Sequence, residues 1–121
     1  MVEVVEVRRL AAGIAGAEDR SDDRRLTFEV GGKGFAWSFN ERVHPKKPRV
    51  PRLDILAVRC PIEKKEILVE AAPDRFFDDD HYKGYPAVLV RLEVIAEDEL
   101  AELLADAARI VAEAKPGAAS L

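Results

Sequence analysis

The stretch from Arg75 to Leu92 constrains the fold of this chain more than any other part of it. It runs from Arg75-Phe76-Phe77 through Asp78-Asp79-Asp80 and His81-Tyr82-Lys83-Gly84-Tyr85-Pro86 to Ala87-Val88-Leu89-Val90-Arg91-Leu92. Gly84 and Pro86 rule out a continuous helix, and an apolar run of β-branched and leucine side chains follows them. The order reads as strand, tight connection, strand, with strands at 75–77 and 87–95.

The rest of the chain supplies partners for that unit. Apolar residues at Val4, Val7, Leu10, Ala11, Ile14 and Ala15 keep helical spacing, so a first helix is expected over 4–15, ending at Gly16. The polar run 17–24 reads as a loop. Leu26 to Val30 alternates, Gly31-Gly32-Lys33-Gly34 turns the chain, and Phe35 to Phe39 alternates again, which predicts a hairpin. Strict alternation puts Leu26, Phe28 and Val30 on one face, and Phe35, Trp37 and Phe39 together on one face of the partner strand. Pro45, Pro48 and Pro51 make 40–52 an extended loop. Leu53 to Cys60 is a third strand, and Pro61 ends it. Residues 62–72 have helical spacing at Ile67, Leu68 and Ala71, with Pro73 as the stop. A last helix carries the stripe Leu100, Leu103, Leu104, Ala107, Ile110 and Val111, with Glu97, Asp98 and Glu99 complementing its positive end.

The expected order is therefore α-β-β-β-α-β-β-α: a single α+β domain over 1–115, an antiparallel sheet with helices packed on it, and a disordered tail at 116–121. A chain of 121 residues with 48% hydrophobic content suits one core. One cysteine excludes an internal disulfide and a paired-thiolate zinc site. Glu3 and Glu6 stand where a signal peptide would carry basic residues, and no apolar run approaches a membrane span of about 20 residues. A cytoplasmic protein, monomeric or weakly dimeric and without membrane contact, is the expectation.

Charge is segregated. The whole chain carries −4, yet residues 42–52 hold Arg42, Lys46, Lys47, Arg49 and Arg52 with no Asp or Glu, so this segment is +5 and the remainder −9. An acidic protein does not attract DNA through net charge, but a local basic loop spaced by prolines can meet phosphates by releasing counterions. The plainer reading is a solvated loop that keeps one sheet end soluble. Lys33 on its glycine turn is a second candidate phosphate contact, against a plain hairpin turn. The turn at 81–86 is a third. There Lys83 would meet phosphate, and Tyr82 or Tyr85 would stack on a base or pack on a sugar, with His81 the titratable ring of the same turn. Its plainer reading is structural, with aromatics covering the sheet edge.

Other constellations carry less. Asp78-Asp79-Asp80-His81 has no second ligand cluster, and adjacent residues alternate faces, so no metal site is expected. Cys60 with His44 or His81 would be a nucleophile and base only if a positive helix end were aimed at the thiol, and none is evident; a small buried hydrophobe is the simpler role. No spaced acid/base set stands out, so neither an enzyme nor a cofactor is expected.

The block at 76–92 also carries a family resemblance. Phe76-Phe77, His81-Tyr82-Lys83-Gly84-Tyr85-Pro86-Ala87-Val88-Leu89-Val90-Arg91-Leu92, Asp98-Glu99-Leu100 and Leu103-Leu104-Ala105-Asp106-Ala107-Ala108-Arg109 resemble the MmcQ/YjbR family of small bacterial proteins. Phe28, Gly32-Lys33 and Phe35-Ala36 look like that family's first hairpin. The resemblance implies a secretion-chaperone-like α-β3-α-β2-α fold and DNA binding through two hairpin wings. It covers about residues 2–114, but no family motif lies in the loop at 40–52. Ala96-Glu97 also departs from the Asp-Pro helix start of the family. DNA is thus the expected partner, contacted by Arg42, Lys46, Lys47, Arg49, Arg52, Lys33, Lys83, Tyr82 and His81. A protein-interaction or small-ligand module without nucleic acid is the alternative.

Overall fold

A computed structural model describes residues 2–42 and 44–114; the tail expected at 116–121 lies outside them. Three helices and six strands follow in the order α1 (Val4–Ala12), β1 (Ala17–Asp19), β2 (Thr27–Val30), β3 (Lys33–Glu41), β4 (Val50–Arg59), α2 (Ile62–Ala71), β5 (Phe76–Phe77), β6 (Ala87–Arg91) and α3 (Glu97–Glu113). The strands form one antiparallel sheet in the order β1-β2-β3-β4-β6-β5. This is the expected α+β architecture with one strand added. β1 lies where a loop is expected, because Ala-Glu-Asp has little strand propensity of its own; its pairing with β2, Ala17 opposite Val30, makes it an edge strand.

α1 ends at Ala12, earlier than periodicity suggests. The Gly13 N–H closes the last turn, and Gly16, at φ 82°, belongs to the bend that enters β1. Glu3 and Glu6 form a reciprocal capping box at the other end. The β2–β3 turn is Gly31–Gly32, with φ of 60° and 83°, a pair of left-handed residues that suits a two-residue hairpin.

Two irregularities re-aim the central strands. Opposite Phe28 and Glu29 the partner strand spends three residues, Gly34 to Ala36. This bulge sends Phe35 and Ala36 into the same core, so Phe35 does not share a face with Trp37 and Phe39. Between β3 and β4 the register jumps from Ser38–Leu56 to Phe39–Arg52. Beyond the jump β4 continues back to Val50, and the connection shrinks to 42–49. Pro51 is tolerated there because β6 pairs with β4 only over Ile55–Arg59, leaving the proline's other side without a ladder to feed.

The main core lies between one sheet face and the helices. Phe28, Phe35, Leu56, Val58, Phe76, Val88 and Val90 meet Val7 of α1 and Leu100, Leu103, Leu104, Ala107 and Val111 of α3. α3 uses the predicted stripe, except that Ala108 is buried while Ile110 stays part-exposed. α2 departs from its expected face: Ile67 is 65% exposed, and the inward side is Lys65, Leu68, Val69 and Ala72. Apolar spacing alone does not reveal this face, because a lysine occupies its first position.

Leu104→Ala is expected to lower stability by about 3 kcal/mol in urea unfolding, as removal of a fully buried leucine does. Val5→Ala, at a residue 71% exposed, should shift it by less than about 0.5 kcal/mol.

Candidate functional site

The other sheet face is built differently. Phe39, Ile55, Ala57, Ala87 and Leu89 form a second cluster with Trp37, Phe77 and Tyr82, and among the described residues no helical side chain joins it. Its cover is the connection between β5 and β6, residues 78–86, which crosses the face and lays Tyr82 against Phe39 at 5.9 Å between ring centroids. Arginines complete the surface. Arg59 sits over both Trp37 and Tyr85 at 5.6 Å, and Arg91 over Phe77 at 4.1 Å.

A buried cation holds this cover in place. Lys65 of α2 is 3% exposed, and its Nζ donates to the Tyr82 carbonyl at 2.6 Å and the Tyr85 carbonyl at 3.0 Å while pairing with Asp78 Oδ1 at 2.9 Å. Three acceptors match the three protons of the ammonium, which is what makes its burial tolerable. Asp79 Oδ1 accepts the Tyr82 N–H, and Gly84 turns the chain at φ 76°. The Trp37 Nε1–H donates to Tyr82 Oη at 2.8 Å. Burial pushes the Tyr82 phenol pKa up despite that hydrogen bond.

Trp37, His81, Tyr82 and Tyr85 line a cleft of about 300 Å³. A neighbouring groove is lined by Phe39, Glu41, Arg42, Arg49, Phe77, Asp79, Asp80 and His81. His81 is the shared wall, and Arg49 Nη2 reaches toward its Nδ1 at 3.4 Å.

The basic segment splits by role. Arg42 donates to the Pro45 and Lys47 carbonyls, and Arg49 to the Asn40 carbonyl, so both guanidiniums shape the connection. Lys46 and Lys47 are exposed. Arg52 is no loop residue. It lies in β4, bonded to Glu41 at 2.8 Å and to Asp54 at 2.9 and 2.7 Å. That hydrogen bonding holds the Asp54 carboxyl below the usual range and raises Arg52 further above its own.

The residues singled out in the sequence therefore separate. Arg42, Lys46, Lys47, Arg49 and His81 gather at one end of the sheet. Lys33 stands at the opposite end of β3, about 26 Å away along the strand at ~3.3 Å per residue. Lys83 lines a groove with Glu66, Glu70 and Asp78. Tyr82, 8% exposed, is floor and not surface. The acidic triplet also resolves into structure, since Asp78 pairs with Lys65 and Asp79 caps a turn. Among the described residues no group of three or more His, Cys, Asp or Glu is placed to hold a metal ion.

Cys60 stands one residue ahead of Pro61, the N-cap of α2. It belongs to the helix-covered core, on the far side of the sheet from Tyr82, against which His81 packs. Burial raises its thiol pKa in spite of Lys64 and Lys65 nearby. Two residues that the sequence does not single out, Lys65 and Arg59, complete the site around Tyr85. For Lys65 the available signal was its i+3, i+4 and i+7 spacing to Leu68, Val69 and Ala72.

Comparisons with known proteins agree with this fold. The model of the YjbR family matches residues 13–109. An uncharacterised protein of Mycobacterium bovis is 36% identical over 110 residues, covering 84% of this chain and 82% of its own length. An uncharacterised protein of Mycobacterium tuberculosis strain H37Rv matches equally. The crystal structure of Deinococcus radiodurans protein DR2400, of the domain family DUF419, superposes with a TM-score of 0.69 at 21% identity. It covers 94% of this chain and 81% of that one. No helix among the described residues is long and apolar enough to cross a membrane.

Lys65→Met is expected to cost about 2–3 kcal/mol by stranding Asp78 and two carbonyls, less than a fully buried pair because Asp78 is 30% exposed. A change in Trp37 fluorescence should accompany the loss, since Trp37 is bonded to the tethered segment. Asp54 has a depressed folded pKa, so its contribution is present above its unfolded pKa of about 3.9 and is lost as pH falls through the folded value. Asp54→Asn should therefore flatten the acid limb of the stability profile below about pH 4, read by chemical unfolding at stepped pH.

Proposed function

The chain belongs to the YjbR family, and from that premise we propose that it is a cytoplasmic DNA-binding protein that grips the phosphate backbone at the connection between β3 and β4. It acts by binding alone, with no chemical step of its own, as a monomer or weak homodimer. One observation carries the reading. Arg42, Lys46, Lys47 and Arg49 gather in one short connection, while Glu41 and Asp54, the acids beside it in sequence, are already engaged by Arg52.

Lys46 and Lys47 are exposed point charges suited to replacing counterions along a phosphate chain. Arg42 and Arg49 spend part of their donors on backbone carbonyls, which holds the connection in one shape and reduces the ordering needed on binding. Asp79 and Asp80 line the adjoining groove. Their charge pushes phosphates outward, toward the two lysines. Lys33 and Lys83 fall outside this contact set, the first by distance and the second because Glu66 and Glu70 share its groove. The alternative, a protein or small-ligand module, rests on the part of the second sheet face that no helix covers.

Four neutralised phosphates predict a slope of log affinity against log salt of about −3.6 on duplex and about −2.8 on single strands. That is a loss of roughly 150-fold or 50-fold between 50 and 200 mM salt. Replacing both Lys46 and Lys47 by alanine should halve the slope and weaken binding alike on every sequence. Fluorescence anisotropy with labelled oligonucleotides measures both. Absence of binding by micromolar protein at 50 mM salt, on single- and double-stranded DNA, would remove the proposal.

A further inference from the structure

We infer that the cleft between Trp37, His81, Tyr82 and Tyr85 receives one unpaired base of a DNA strand, so that the protein prefers single strands to duplex; this rests on the DNA-binding reading above.

The shape comes first. At about 300 Å³ the cleft stands at the lower end of the range for small-molecule sites, room for one flat ring system and little more. Its walls are aromatic, and they are fixed edge to face. Trp37 and Tyr85 stand at 71° with centroids 6.4 Å apart, and Tyr82 and Tyr85 at 86° and 5.9 Å. Rings set this way are not stacked on one another; Arg59 lies over one side of Trp37 and of Tyr85, and the exposed part of Tyr85 is the platform left for a base. Any base has a π-face to offer, and such stacking is tolerant of sequence.

The walls are also held rigid. Tyr82 is buried and accepts the Trp37 Nε1–H, which sets the indole orientation. Arg59 braces Trp37 and Tyr85 together: its Nη2 donates to Tyr85 Oη at 3.2 Å and its Nε to the Gly34 carbonyl at 2.8 Å. Lys65 fixes the backbone of Tyr82 and Tyr85 from beneath. Tyr85 is nevertheless 39% exposed, an aromatic ring offered to solvent on a rigid mount.

Charge then selects the occupant. His81 is the wall shared with the groove in which Arg42 and Arg49 stand beside Glu41, Asp79 and Asp80, so the phosphates of a strand whose base enters the cleft would follow the outer rim of that groove, toward Lys46 and Lys47. A flat ring in the cleft is thus joined, one side chain away, to the cationic connection that would hold its phosphates. A base on a phosphate chain carries both features. Within a duplex the base is already stacked and paired, so the cleft rewards strands whose bases are unpaired.

Trp37 is the only tryptophan, so its fluorescence reports on this cleft alone. A single-stranded oligothymidylate at 50 mM salt should quench Trp37 and bind more tightly than duplex of equal length. Tyr85→Ala should weaken single-strand binding by roughly 5- to 150-fold, the range for loss of one stacked base, and leave duplex binding unchanged. Tyr85→Phe should retain the single-strand preference. Equal affinity for both forms, with Trp37 unquenched, would overturn the cleft assignment and leave backbone binding standing. Quenching by thymidine monophosphate at the same concentration would overturn the strand as occupant. Binding to neither form would overturn this inference together with the reading on which it rests.

Discussion

Lys65 is the interaction on which the second half of the structure turns. It occupies a position that apolar periodicity reserves for the core, yet it brings an ammonium with it. Burying that charge without partners would be costly, so the surrounding chain must supply three acceptors in fixed places. Asp78, the Tyr82 carbonyl and the Tyr85 carbonyl do so. Because those acceptors span the β5–β6 connection, satisfying one lysine also fixes the path of that connection across the open sheet face. The aromatic cleft, the Tyr82 floor and the position of His81 all follow from that path.

The sheet itself is made asymmetric by two departures from alternation. The bulge at Gly34–Ala36 turns Phe35 toward the helices and leaves Trp37 and Phe39 on the opposite side. The register jump between β3 and β4 carries Arg52 opposite Phe39, where Glu41 and Asp54 can close on it. One face thereby becomes a dry core under α1 and α3. The other becomes a thin aromatic layer edged with arginines. Burial drives the first; cation–π contact and hydrogen bonding organise the second, which is the kind of surface a polar, planar ligand meets.

Much of this is legible in the amino-acid sequence. The stripe on α3, the glycine turn at 31–32, the proline stops and the strand–turn–strand block at 75–92 are local patterns, governed by neighbours within a turn or a pleat. The segregation of charge into 42–52 was legible too. The roles inside that segment were not, because they depend on how the β3–β4 register and the path of the connection bring side chains together. Arg52 reads as a loop cation until Glu41 and Asp54 come beside it, and Arg49 until Asn40 and His81 do. β1 was illegible for a related reason: its strand character lies in the pairing with β2 and not in Ala-Glu-Asp.

From the amino-acid sequence alone came the α+β class, the antiparallel sheet and the presence of an unbalanced basic segment, since each rests on composition or short-range periodicity, and also the resemblance to a family, which rests on matching motif residues. Only the tertiary structure decided which cations stand together, that Tyr82 is floor while Tyr85 is surface, and that Lys65 is a tether. Those facts depend on bulges, register and the long-range satisfaction of buried polar groups. A bulge adds one residue and reverses a face, and a buried ammonium chooses its acceptors in space. Neither leaves a periodic trace along the chain.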